Sequence, residues 1–216
     1  MAGFLDDPFA FLAALVLKIP ALLVAVTVHE VAHAWVADRR GDSTARLQGR
    51  LTLNPLPHID PLGALAFVLV GFGWAKPVPV NAANLRDPVR DMLLVAVAGP
   101  LSNFVTAFVG LVAFVLVRQA GLPAILAEPV AGILLWVFQF NLALGIFNLI
   151  PLPPLDGGHF LRYFLPPGAG GLLHGLERIG PLLLIVLLMS GATRYVVEPA
   201  FRMLTGVYVA VVRAIL

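Results

Sequence analysis

The chain has 216 residues, 60% of them hydrophobic and 12% charged, with a formal net charge of +2 and a mean hydropathy of +0.94. So few charges cannot solvate the surface of a soluble domain, and the composition is that of a polytopic membrane protein. The basic residues are scattered, which excludes a nucleic-acid footprint. With no cysteine, disulfides and thiolate ligands are excluded, so any metal must be held by His, Asp or Glu.

The amino terminus carries acidic Asp6 and Asp7 instead of a basic region, so no cleavable signal peptide is expected. A first apolar segment runs from Phe9 to Ala37, interrupted by Lys18 and Pro20; either the helix kinks there or residues 9–17 lie at the membrane interface. Arg39, Arg40, Arg46 and Arg50 follow, then a Pro-rich stretch from Leu53 to Pro61. Gly63–Gly73 is apolar but too short to cross a hydrocarbon core of ~30 Å as a helix, and reads as a re-entrant half-span. Trp74–Asn81, with alternating Val and Pro, reads as extended edge backbone. Met92–Val117 is a full span, Arg118–Glu128 a short turn, and Ala131–Ile150 the next span. A Gly/Pro loop at Pro166–Gly171 leads to a span at Leu172–Met189, and Val196–Leu216 is a last span or an interfacial helix. The expected fold is therefore an all-α polytopic membrane protein of about 4–6 transmembrane segments, with a re-entrant or extended element near residues 63–81. Residues 1–216 read as one membrane domain without tandem repeats.

Arg39, Arg40, Arg46, Arg50, Lys76, Arg86 and Arg90 all fall between the first two full spans, which assigns that stretch to the cytoplasm. The amino terminus and the 118–128 turn are then outside. Asp156 and Arg162 return to the cytoplasmic side, at a depth similar to the end of the first span.

Within that first span lies His29-Glu30-Val31-Ala32-His33, an HExxH motif. Residues four apart share a helical face, so the two imidazoles can grip one zinc ion. Glu30 lies about 100° round the helix, within reach of a water at the metal. Two imidazoles and a carboxylate within one turn are costly in a bilayer and mark function. A catalytic zinc takes a third protein ligand. His58, Asp60, Asp156, His159, His174, Glu177 and Glu198 are the downstream candidates. Asp156 is favoured, as a carboxylate at the end of an apolar span followed by Gly157-Gly158, which allow a tight turn and close approach to another helix.

The HEVAH motif together with Asn148-Leu149-Ile150-Pro151-Leu152-Pro153-Pro154-Leu155-Asp156-Gly157-Gly158 resembles the site-2 protease family of intramembrane zinc metalloproteases, whose second signature is NxxPxPxLDGG. The resemblance extends over nearly the whole chain and points to a minimal bacterial-type member without PDZ or CBS modules. It implies one zinc per chain held by His29, His33 and Asp156, with Glu30 as catalytic base. It also implies transmembrane protein or peptide substrates within the lipid bilayer, and a multi-pass protein of the bacterial inner membrane with its active site toward the cytoplasm.

Asn148 is the candidate for stabilising the developing oxyanion or touching substrate backbone. Asn141 is a candidate for substrate contact or for an interhelical hydrogen bond. Trp74, Pro77 and Val78, in the extended stretch, are candidates for pairing with an unwound substrate as an added strand. Asn54, His58 and Asp60 are candidates for lining the entrance, and Asn54 for contacting substrate. Gly99 and Ser102 read as permitting close helix packing, while Asn103 is a candidate for facing the site and contacting substrate. His174, Glu177 and Arg178 read as the start of an interfacial helix. The competing readings are a metal-binding membrane transporter and an inactive relative that only binds membrane helices.

Overall fold

The computed structural model describes residues 7–216; Asp6 lies outside them. The elements are α1 (Pro8–Arg39), α2 (Thr44–Leu47), α3 (Pro61–Val70), α4 (Pro88–Gln119), α5 (Ala124–Asn148), α6 (Gly158–Phe164), α7 (Gly170–Met189) and α8 (Arg194–Ile215). Among the described residues there is no strand, only an isolated antiparallel bridge between Ile59 and Ala75. Five helices (α1, α4, α5, α7 and α8) are long and apolar enough to cross a membrane. The all-α, multi-span expectation therefore holds.

Three helices, α1, α3 and α4, open on the same dipeptide. Asp7, Asp60 and Asp87 each precede a proline, and each aspartate accepts a backbone N–H of the first turn: from Ala10 at 3.0 Å, from Leu62 and Gly63 at 2.9 Å, and from Arg90 at 3.1 Å. The carboxylate satisfies donors that a helix start leaves unpaired, and proline at the first helical position lacks one of those donors. Asp60 thus serves first as the cap of α3.

Helix α1 runs unbroken through Lys18 and Pro20, so residues 9–17 extend the span instead of forming a separate interfacial piece. Lys18 is buried, with its ammonium 4.7 Å over the Trp136 ring of α5. At 32 residues the helix is about 48 Å long, well beyond a hydrocarbon core of ~30 Å. The turn expected over 118–128 is shorter, because α5 already starts at Ala124. The expected half-span is α3, a ten-residue helix stopped by Gly71 at φ +76°. The chain then returns against it so closely that a Cβ on Gly63 would lie 2.1 Å from the Trp74 carbonyl oxygen.

The bundle is built on α1, α4 and α5. Many of the residues that α1 and α4 bury are small: Ala21, Ala25, Ala34 and Ala37 on α1 and Ala96, Gly99, Pro100 and Ala107 on α4. In lipid, where apolar side chains gain little by leaving the solvent, such residues let helices approach to backbone contact. On the far side α8 packs through Val212, Phe201, Leu204 and Tyr208 onto a cluster around Phe138 and Leu142.

Candidate metal centre

His29 and His33 stand one turn apart on α1, where it crosses α4. His33 Nδ1 lies 2.7 Å from the Val95 carbonyl oxygen, which can only accept, so Nδ1 carries the proton. His29 Nδ1 lies 2.7 Å from Asn103 Oδ1. The Asn103 amide donates to the Ala25 carbonyl at 2.9 Å and to Asn141 Oδ1 at 2.8 Å, which fixes its oxygen toward His29. Both Nε2 atoms are thereby left as bare lone pairs.

These lone pairs converge. The two Nε2 atoms are 3.0 Å apart, and Asp156 Oδ2 lies 3.2 Å from His29 Nε2 and 3.3 Å from His33 Nε2. Asp156 Oδ2 is buried without a hydrogen-bond donor. Three acceptors facing one another in a buried site repel unless a cation joins them. Tetrahedral zinc with ligand bonds of about 2.0–2.1 Å requires ligand-to-ligand edges of about 3.3 Å, close to the distances found. The donor set fits zinc, and the Nδ1 partners are the outer hydrogen bonds that orient metal-bound imidazoles.

Gly99 completes the pocket. A Cβ there would sit 2.4 Å from His33 Nε2 and 2.7 Å from His29 Cε1. Sequence reasoning gave this glycine to helix packing; its neighbours are the imidazoles themselves. Beside the triad, Glu30 Oε2 accepts the Val78 backbone N–H at 2.8 Å. A largely apolar cavity of about 890 Å³ opens from the triad along α1, past Val26, Leu23 and Ile19, and is walled opposite by α3 and the 72–80 segment.

Comparison with known proteins bears on the same residues. A model of peptidase family M50 matches residues 121–187, the part that carries Asp156. YwhC of Bacillus subtilis is 41% identical over 203 residues, covering 92% of this chain and 90% of the relative. The chain belongs to peptidase family M50. Rip2 of Mycolicibacterium smegmatis is 31% identical over 86% of the chain and 71% of its own length. MJ0392 of Methanocaldococcus jannaschii is 29% identical over 79% of the chain and 41% of its own length. All three relatives are named as zinc metalloproteases. No solved structure matches the chain. This M50 peptidase is thus a zinc metalloprotease and an integral membrane protein.

The remaining candidates sort by position. Asn148, Trp74, Pro77 and Val78 line the cavity of the M50 peptidase. The Asn148 amide donates to the Leu144 carbonyl at 3.1 Å. Val78 is buried, packed with Ala34 and Ala45. Asn103 and Asn141 are fully buried and form the relay behind His29 instead of a substrate surface. Asn54 is exposed, caps the Leu56 N–H at 3.1 Å, and is not among the residues lining the cavity.

Among the rival third ligands, His58 is buried with Nε2 2.9 Å from the Thr52 carbonyl oxygen, and Glu198 pairs with Arg202. His174 and Glu177 line a separate cavity of about 320 Å³ with Arg162. His159 lines the main cavity and is exposed there. Among the described residues the converging group is His29, His33 and Asp156.

Asp42 escaped sequence reasoning. It is buried and accepts from the Thr44 N–H at 3.1 Å and the Thr44 hydroxyl, from the Asn84 amide at 3.0 Å and from the Asn81 N–H at 2.6 Å. Arg50 donates to the Lys76 carbonyl at 2.6 Å. These bonds tether both ends of the segment whose Val78 holds Glu30. The only sequence signal was a carboxylate just past a helix end, shared by many solvated turns.

Proposed function

We propose that this M50 peptidase hydrolyses peptide bonds within or beside transmembrane segments of other membrane proteins, with Glu30 as general base. One observation carries the reading: the converging triad lies against an apolar cavity walled by spans of the bundle, where a water-soluble substrate would find little to bind.

Zinc bound by His29, His33 and Asp156 would lower the pKa of a coordinated water toward ~7 and polarise the scissile carbonyl. Asn103 and the Val95 carbonyl hold the two imidazoles in the ligating tautomer. Glu30, oriented by the Val78 N–H, takes the proton from the attacking water as the C–O bond forms. It then delivers that proton to the amine as the C–N bond breaks. Asn148, on the cavity wall, is the side chain proposed to donate to the oxyanion.

A helical substrate must unwind before attack, and the freed backbone needs partners inside the membrane. The N–H groups of Lys76, Val78 and Asn81 are engaged within the protein, and Pro77 and Pro79 have none. Between residues 76 and 79 the segment would therefore meet an unwound substrate with carbonyl acceptors alone. The basic residues between α1 and α4 support an inner-membrane protein with its metal toward the cytoplasmic face.

The test measures zinc content and cleavage of a model transmembrane peptide in liposomes for wild type, Glu30→Gln and Asp156→Ala. Wild type should hold one zinc and cut, Glu30→Gln should hold zinc without cutting, and Asp156→Ala should lose the metal. Cleavage by Glu30→Gln would sink the mechanism, and a wild type that moves metal across the liposome without cutting would favour a transporter.

A further inference from the structure

Helix α7 buries only two residues, Gly180 and Leu184, and both meet the loop between α5 and α6 that bears Asp156. Leu184 clusters with Leu152 and Leu155, supported by Leu187 and Leu188. Gly180 is closer still: a Cβ there would sit 2.2 Å from the Pro153 carbonyl oxygen and 3.0 Å from its carbonyl carbon. Those are backbone atoms, so neither a rotamer change nor a flexible tip can relieve the overlap; either α7 or the loop must shift.

The loop is poorly able to absorb a shift locally. The Gly157 N–H donates to the Asn148 carbonyl at 2.6 Å, Leu155 to Leu152 at 2.9 Å and Gly158 to Leu155 at 2.9 Å. Ideal Cβ atoms on Gly157 and Gly158 would lie 2.2 Å from the Ile150 oxygen and 2.9 Å from the Pro153 nitrogen. Pro153 is therefore packed between Gly158 at the start of α6 and Gly180 on α7, three residues from the carboxylate that completes the metal triad.

We infer that Gly180 is a positioning residue for the third zinc ligand. The missing side chain lets α7 seat on Pro153, and that seat sets where the Asp156 carboxylate stands relative to the two imidazoles. The inference rests on Asp156 being a ligand, and its test is a metal-affinity cycle that needs no proteolysis.

Affinity is measured in detergent by chelator competition with Zn²⁺, and with Cu²⁺, which nitrogen ligands hold more tightly, for variants too weak for zinc. Gly180→Ala should weaken metal binding about tenfold or more, the size typical of losing a support to a ligand. Gly175→Ala, on the same helix with nothing within 4 Å of its Cβ, should leave affinity unchanged. In an Asp156→Asn background, adding Gly180→Ala should cost less than about twofold, because coupled residues are not additive. Leu184→Ala, which loosens the seat without a clash, should give a smaller loss that also vanishes in that background and covers the case of a Gly180→Ala chain that fails to fold. Wild-type affinity in both Gly180→Ala and Leu184→Ala overturns the inference, as does an equal loss with and without Asp156, which would mark general packing damage. Wild-type affinity in Asp156→Asn alone would instead remove Asp156 from the ligand set.

Discussion

Replacing Asn103 with leucine, a side chain of similar size, tests the architecture behind the metal. The substitution removes the acceptor for His29 Nδ1–H and the donor to Asn141 Oδ1, in a site with no exposure. Each orphaned buried group costs about 1–3 kcal/mol, so the two together should destabilise the fold by about 2–6 kcal/mol. Zinc affinity should fall by about 10–100-fold, or ~1.4–2.7 kcal/mol, because His29 is no longer held in its tautomer and orientation. The assay pairs chelator competition with thermal unfolding in micelles. Adding Asn141→Leu removes the second orphan, so stability should partly recover while zinc affinity stays low, His29 still lacking its acceptor. Zinc affinity within about twofold of wild type in the single variant would refute the relay, as would restored affinity in the double variant.

Gly99→Ala should cost at least about 100-fold in cleavage, since its methyl would displace imidazoles whose placement matters at the 1 Å scale; Gly132→Ala, whose Cβ would come nearest to the flexible end of Leu17 at 3.2 Å, is the control. Acid unfolding should report Asp42. Burial opposes its ionisation, but hydrogen bonds from Thr44, Asn84 and Asn81 prevail and hold its carboxyl below the ordinary value of 3.8. The ionised group thus favours the folded state at pH above 3.8 and loses that contribution as pH falls through the lowered native value. Asp42→Asn should flatten this acid limb, and an unchanged limb would show that Asp42 does not control it. Asn54→Ala should leave kcat and KM for a transmembrane peptide unchanged, because Asn54 does not line the cavity; a raised KM would return it to the substrate path.

Local rules made much of this molecule readable from its residues. Apolar length separates spans from the half-span at α3, a 3.6-residue period puts His29 and His33 on one face with Glu30 beside them, and Asp before Pro starts three helices. Each depends on neighbours a few positions apart, so no packing need be known. Gly157 and Gly158, the reason for favouring Asp156 over His159, do mark a tight turn, but the atoms they crowd are Ile150 and Pro153 of their own loop. What the sequence could not decide are contacts between distant segments. Asn103 reaches His29 across 74 residues, Val78 reaches Glu30 across 48 and Asp42 reaches Asn81 across 39. An asparagine in a span looks the same whether it faces substrate, another helix or a ligand. Gly99 and Gly180 look like ordinary helix-packing glycines until the opposing atoms are present. Those assignments follow from which surfaces the helices press together, and only the packed bundle determines that.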